Sequence, residues 1–260
     1  MKIRGTLTLT ILAAALLVAD VVQRLVVAPL TRLCPSRRNS LLGIWQQIMA
    51  LMVLGTTRLV GGAHIGHIPQ IPSGSGVLVL MNHQSLLDIP LIVRAARPGH
   101  PRIVTRERYA SGKPLISHMV RLYQYPTVNP RATGRDDFSR LERAAAASPV
   151  PLVIYPEGTR SRDGGIARFR RGGLRAILPA RDWEVWVAVA DGFWECGRVD
   201  DFRANVPSVR GSMRVEGPFT GPGAGASAEA VDSFIGEMEE MMKATLDRMR
   251  APALSPRSGS

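Results

Sequence analysis

The sequence predicts an α/β fold: a central mixed, mostly parallel sheet flanked by helices, with an N-terminal membrane-associated helical hairpin. Short apolar runs at 77–81, 152–155 and 185–190 alternate with longer stretches of helical character, the pattern of strand–helix–strand units. Two long apolar segments fill the first 60 residues, which predicts the hairpin. The expected organisation is membrane-associated helices over 1–60, a main domain over 61–220, a C-terminal helix packed on it over 221–250, and a disordered tail over 251–260.

Composition sets bounds on what such a chain does. At 260 residues and 45% hydrophobic, it can bury the core of one such domain. The formal net charge of +12 is carried mostly by arginine and asks for an anionic partner: nucleic acid, acidic lipid or a phosphorylated substrate. Aromatics are only 5%, and no recognition helix, zinc finger or stacking motif is present, which argues against nucleic acid. An anionic membrane surface and a phosphate-bearing substrate account for the charge. Cys34 and Cys196 match no paired metal spacing and are expected to be free thiols, and no metal site is expected.

Residues 1–4 are basic, and 5–19 are uncharged and mostly apolar; Asp20, Gln23 and Arg24 then interrupt before apolar residues resume to Leu30. A full span needs about 20 apolar residues, so this segment is marginal. A secretory signal peptide begins similarly, but here the apolar character continues past any cleavage point. Residues 31–40 form a basic linker with Arg32, Arg37 and Arg38, and 41–60 a second apolar segment carrying Trp45, Gln46, Gln47 and Arg58. If both segments crossed a bilayer, the linker arginines would face the far side, against the positive-inside tendency. The prediction is therefore a hairpin lying on or entering one leaflet of the cytoplasmic membrane, with the main domain facing the cytoplasm. Ordinary core helices are the alternative.

His-Ile-Gly-His at 64–67 resembles a nucleotidyltransferase motif, but no lysine-rich partner follows, and a strand with a bend at Gly66 is expected. Residues 72–76 are a turn. Residues 77–81 form a buried strand, 89–96 a helix stopped by Pro98-Gly99, and 102–105 the next strand. A short amphipathic helix over 114–122 and a helix over 136–147 follow, the latter rich in good helix formers. Residues 191–201 read as a polar loop and 209–215 as an edge or near-edge strand. Residues 217–226 read as a flexible linker. Ser227 caps a final helix with Glu229 in its first turn. Its stripe of Val231, Phe234, Ile235, Met238, Met241, Met242, Leu246 and Met249 faces the core.

Two stretches carry chemistry. The strand at 77–81 runs directly into Asn82-His83-Gln84-Ser85-Leu86-Leu87-Asp88, with Pro90 just inside the next helix. Five residues at 3.6 per turn place His83 and Asp88 about 140° apart, so they cannot share one helix face. To cooperate, His83 must lie in the turn and Asp88 in the first helical turn. There the carboxylate fixes one tautomer and frees the other ring nitrogen as a general base. The second stretch, Tyr155-Pro156-Glu157-Gly158-Thr159-Arg160-Ser161, ends the strand at 152–155 roughly seventy residues later. Arginines 160, 162, 168, 170, 171 and 175 follow; a solvated surface is the bland alternative, but their density points to a phosphate or cofactor groove in which only some of them can touch ligand. No P-loop ending is present, and Ser85 lies in no nucleophile elbow.

In this order the two stretches resemble the signature blocks of the glycerolipid acyltransferases, the family that contains the 1-acylglycerol-3-phosphate (lysophosphatidate) acyltransferases. Residues 82–88 match Asn-His-x-Ser-x-x-Asp, and 155–161 match Phe-Pro-Glu-Gly-Thr-Arg-Ser with Tyr155 in place of phenylalanine. The likeness covers about 62–220. Phe169-Arg170-Arg171-Gly172 resembles a later family segment, whereas the proline common in the strand at 185–190 is absent. Where the family has an apolar pair, an acid and an arginine, this chain has Val128, Asn129, Pro130 and Arg131, which shifts the arginine by one.

The resemblance implies O-acyl transfer from an acyl thioester to the free hydroxyl of a lysophosphatidate, a phosphatidate-forming step of phospholipid biosynthesis. The donor, acyl-CoA or acyl carrier protein, is a co-substrate, and no cofactor is implied. His83 would be the base and Asp88 its orienting group, with Asn82 and Ser85 in support. Glu157, Gly158, Thr159, Arg160 and Arg131 would form the acceptor site. Arg160 is expected on the acceptor phosphate, with Glu157 orienting it or binding a glycerol hydroxyl. Backbone amides near the motif turns are expected to hold the oxyanion. Another lysolipid as acceptor and a non-catalytic basic membrane-binding protein are the alternatives.

Overall fold

The computed structural model describes residues 2–113, 115–129 and 135–251. Arg131, expected at the acceptor site, and the expected tail beyond Ala251 lie outside the described residues. The chain opens with α1 (Lys2–Val22), which passes through a π-helical turn (Gln23–Val27) into α2 (Ala28–Leu33), and turns back into α3 (Arg38–Leu59). The main domain follows as β1 (His64–Ile65), β2 (Val77–Met81), α4 (Asp88–Ala95), β3 (Arg102–Ile103), β4 (Thr105–Arg106), α5 (Ile116–Leu122), β5 (Thr127–Val128) and α6 (Arg135–Ala146). It continues with β6 (Leu152–Ile154), α7 (Arg171–Ile177), β7 (Glu184–Asp191), α8 (Val199–Asn205), β8 (Arg210–Thr220) and α9 (Ala228–Arg250).

Among the described residues, six strands form one sheet in the order β1-β8-β7-β2-β6-β3. Only the β7–β8 pairing is antiparallel; β1–β8, β7–β2, β2–β6 and β6–β3 are parallel. A parallel sheet is covered on both faces, and β2 shows it: Val77, Val79 and Met81 belong to one apolar cluster and Leu78 and Leu80 to the other. The first cluster takes in Leu91 and Ile92 of α4, Leu54 of α3, Leu12 of α1 and Phe202 of α8. The second takes in Leu141 of α6, Leu174 and Ile177 of α7, and the α9 stripe from Val231 to Leu246. The motif-bearing strands β2 and β6 are adjacent and parallel, with Leu80 opposite Ile154. The segments that leave their carboxyl ends therefore emerge side by side, where open α/β sheets place their sites.

The N-terminal helices are both core and surface. Each contributes a buried face to the sheet cover, while Leu7, Leu17, Val18, Leu25, Ile44, Ile48 and Leu51 are exposed. Lys2–Leu33 and Pro35–Leu59 are both long and apolar enough to cross a membrane. Of the polar residues that break the first apolar run, Asp20 and Gln23 turn inward toward α5, while Arg24 stays exposed. Asp20 pairs with Arg24 at 3.0 Å and accepts the Leu115 N–H. Gln23, fully buried in the π turn, donates to His118 Nδ1 at 2.8 Å and accepts from Trp45 Nε1.

Four elements differ from expectation. The strand expected over 102–105 is split, because Val104 separates β3 in the main sheet from β4, which pairs with β5 in a sheet of its own. The loop expected over 191–201 contains the start of α8, whose Phe202 is buried against α1. β8 runs to Thr220, into the expected linker, because the β7 ladder continues to the pair Glu184–Thr220. The basic linker over 31–40 is almost wholly helical, and Arg38 donates to the Leu122 carbonyl at 2.5 Å.

Candidate active site

β2 delivers Asn82 at the end of the sheet, and its side chain fixes the exit. Asn82 Nδ2 donates to the Ala190 carbonyl and Oδ1 accepts the Ala190 N–H, both at 2.8 Å. This double bond to β7 replaces the ladder that stops there. The chain then turns, and Asp88 opens α4. Asp88 is fully buried and gathers the turn around itself. Oδ2 accepts the N–H of Gln84 at 2.6 Å, the N–H of Ser85 at 2.8 Å and Nδ1–H of His83 at 2.7 Å. Ser85 Oγ donates to Oδ1 at 3.3 Å and accepts the Leu87 N–H. Hydrogen bonds to an ionised acceptor contribute about 1.5–3 kcal/mol each, so the pairing both builds the turn and aims the imidazole. With Nδ1–H on Asp88, Nε2 is the acceptor nitrogen, and the His83 side chain is 20% exposed.

The second motif wraps the same histidine. Glu157 is 2% exposed; Oε1 accepts the His83 N–H at 2.8 Å and Oε2 the Ala167 N–H at 2.9 Å. Burial raises its carboxyl above the ordinary value, and the two amide bonds offset part of that rise. The Ser161 N–H donates to the His83 carbonyl at 2.7 Å. Tyr155 stacks on the imidazole, with centroids 4.3 Å apart and planes 26° apart. Gly158 has a φ of +68°, a turn conformation that disfavours side chains, and it separates inward Glu157 from exposed Thr159 and half-buried Arg160.

Two expectations change in contact terms. Both oxygens of Glu157 are held by backbone amides rather than by Arg160, whose own guanidinium donates to the Gly197 carbonyl. The amides of His83, Gln84 and Ser85 are committed to carboxylates, so none of these three is open to an oxyanion.

Further contacts close around the two motifs. Arg106, the last residue of β4, donates to the Gly158 carbonyl. Burial would raise the Tyr109 phenol, but the hydrogen bond from Arg108 and the charges of Arg108, Arg160 and Arg106 bring it below its ordinary value. A positive patch thus sits beside the second motif. Farther along, Arg171 and Arg175 pair with Asp232 of α9 instead of facing a groove. Gln84, fully buried, donates to the Gly164 carbonyl and Asp191 and accepts the Phe193 N–H. Arg250 at the end of α9 grips Asp191 through both oxygens and also the Gly164 carbonyl. Burial raises Asp191, but Arg250 and Gln84 outweigh it and hold the carboxyl below the ordinary range. Among the described residues, no three His, Cys, Asp or Glu side chains gather in a way that would hold a metal ion.

Comparison with known proteins places this geometry. Residues 64–188, from β1 through most of β7, match the family model described as Acyltransferase. Residues 64–188 are an acyltransferase-family domain. The two motif turns and the β2–β6 pair that carries them lie inside it. A 1-acyl-sn-glycerol-3-phosphate acyltransferase of Cocos nucifera is 27% identical over 148 residues, which is 56% of this chain and 45% of the coconut protein. The chain thus spans less than half of that relative's length. The crystal structure of the 1-acyl-sn-glycerophosphate (LPA) acyltransferase PlsC from Thermotoga maritima superposes with a TM-score of 0.65 at 18% identity, covering 96% of this chain and 99% of that one. The shared fold therefore extends beyond the acyltransferase domain to the N-terminal helices and α9.

Proposed function

We propose that the chain transfers an acyl group from an acyl thioester, coenzyme A- or acyl carrier protein-linked, to the free hydroxyl of 1-acylglycerol 3-phosphate, yielding phosphatidate. The observation that carries this reading is the 2.7 Å pairing of His83 Nδ1 with buried Asp88 inside an acyltransferase-family domain. His83 Nε2 takes the hydroxyl proton as the alcohol oxygen attacks the thioester carbonyl. Asp88 holds the ring and stabilises the imidazolium. Collapse of the tetrahedral intermediate breaks the carbon–sulfur bond, and the imidazolium returns its proton to the leaving thiolate. No protein nucleophile is required. Arg160, Arg106 and Arg108 supply the positive field for the acceptor phosphate, for which a guanidinium fork is well matched.

The exposed apolar faces of α1, α2 and α3 rest in one leaflet. The basic residues around them, including Lys2, Arg4, Arg32 and Arg37, favour the anionic cytoplasmic surface. The thioester donor is then on the accessible side.

The test is acyl transfer by the purified full chain in lipid, with a radiolabelled acyl thioester and a panel of acceptors, beside His83→Ala. Product from lysophosphatidate that falls about a hundredfold or more in the variant supports the reading. Product mainly from another lysolipid keeps the chemistry and overturns the acceptor. No transfer to any acceptor by folded, membrane-bound protein overturns the reading altogether.

A further inference from the structure

His83 is held at four points. Its N–H is bound by Glu157, its carbonyl by Ser161 and its Nδ1 by Asp88. The fourth is Tyr155, which covers one ring face at 4.3 Å. The first three fix the main chain and one ring atom. Rotation of the imidazole plane about the Nδ1–Asp88 bond is limited by Tyr155.

Two observations say which part of Tyr155 matters. Its hydroxyl is buried and, among the described residues, has no hydrogen-bond partner. Burial and the nearby Asp88 carboxylate keep that phenol protonated, well above its ordinary value. A neutral, unpartnered hydroxyl relays no proton, so the aromatic face is the part in use. Tyr155 also begins the second motif at the end of β6, so its position follows from the parallel β2–β6 register.

We propose that Tyr155 is a positioning residue for acyl transfer: its ring is the platform that holds the His83 imidazole on Asp88 with Nε2 turned toward the acceptor hydroxyl. The platform does more than block rotation. An aromatic face attracts a cation, and the His83 ring becomes one as it accepts the hydroxyl proton. Stacking is therefore stronger at the transition state than in the resting enzyme, and its loss falls on kcat rather than on substrate binding. The inference rests on the acyl-transfer reading.

The experiment uses the full chain and three variants, Tyr155→Phe, Tyr155→Leu and Tyr155→Met. The two non-aromatic variants lower kcat about three- to tenfold, the size of a lost stacked pair, with KM for both substrates unchanged. Tyr155→Phe recovers activity to within about twofold of wild type. A structural readout accompanies the kinetics: the His83 ring protons, assigned by their disappearance in His83→Ala, are shifted upfield by the stacked ring. That shift persists in Tyr155→Phe and is lost in Tyr155→Leu and Tyr155→Met.

Full activity in both non-aromatic variants overturns the proposal, as does an equal loss in Tyr155→Phe, which would place the role in the hydroxyl. An unchanged His83 resonance in Tyr155→Leu overturns it too. If wild type transfers no acyl group, the acyl-transfer reading has failed, and the resonance comparison still decides whether Tyr155 holds the ring.

Discussion

Glu157 Oε1 accepts the backbone N–H of His83 at 2.8 Å, across 74 residues of sequence. The glutamate of the second motif thus holds the main chain of the first. A neutral glutamine has one acceptor oxygen where two amides now point, so Glu157→Gln leaves either the His83 or the Ala167 N–H facing an NH2 group. The expected outcome is a stability loss of about 1–3 kcal/mol and a kcat about ten- to a hundredfold lower from misplacement of the ring. KM for the acceptor stays near wild type, whereas a glutamate that bound a glycerol hydroxyl would raise it. Steady-state kinetics with a varied acceptor separates the two.

Asp88 makes a sharper demand. Asparagine keeps the shape, but its NH2 group would face N–H donors, and its donor capacity favours the imidazole tautomer with the proton on Nε2. That tautomer cannot accept the hydroxyl proton. We expect Asp88→Asn to lower kcat about 10²–10⁴-fold, by analogy with carboxylate-to-amide changes in other histidine-based sites. Ser85→Ala removes only a long 3.3 Å contact to Asp88 and the Leu87 cap, so it costs less than about tenfold. Rates measured side by side check the order.

Much of this site was legible in the sequence for a local reason. The five-residue offset of His83 and Asp88 rules out a single helix face and requires a strand–turn–helix corner, and the structure has that corner. The α9 stripe was equally legible, because periodicity and an N-cap are local signals; Ser227 Oγ accepts the Ala230 N–H as expected of a cap. What was not legible depends on pairing at long range. Nothing near Glu157 says that its partners are backbone amides at 83 and 167. Likewise nothing near Arg250 says that it reaches Asp191, and through it Gln84. The continuation of β8 past Gly217-Pro218 was hidden because composition there reads as linker, while the β7 ladder supplies the partner. Within the arginine run, charge density does not tell which guanidiniums pair with α9, as Arg171 and Arg175 do.

The N-terminal hairpin can be separated from the domain by one methyl group. Gly5 of α1 is buried, and a Cβ built there would stand 1.9 Å from the Arg203 carbonyl of α8. Gly5→Ala must push α1 away from α8, and overpacking of this kind costs about 1–3 kcal/mol. Gly55 of α3 has nothing within 4 Å of its Cβ position, so Gly55→Ala is neutral or stabilising by up to about 1 kcal/mol. Thermal melts in matched detergent should move in opposite directions, or move for Gly5→Ala alone. Equal stability of both variants would show that α1 is not docked on α8 in detergent.

His100 predicts a pH dependence away from the active site. It is 2% exposed, lies edge-on to Tyr123 at 5.3 Å, and has Nδ1 unpartnered among the described residues. Burial, with the charges of Arg102 and Arg38, lowers it from 6.5 to about 4, opposed only in part by a backbone hydrogen bond with Asn39. In the unfolded chain the imidazole takes a proton as pH falls through 6.5, while the folded chain resists until about 4. Between those values the unfolded state binds more protons, so stability is full above 6.5 and declines as pH falls, by about 3 kcal/mol in all at 1.36 kcal/mol per unit. Below about 4 both states are protonated and this contribution is flat. His100→Phe keeps an aromatic against Tyr123 and removes the titration. Denaturant unfolding of wild type and variant at pH 7, 6 and 5 should show their difference in stability changing in favour of the variant by about 2 kcal/mol at pH 5. A constant difference across the three values would mean that His100 is protonated in the fold, its charge accommodated beside Arg102 and Arg38.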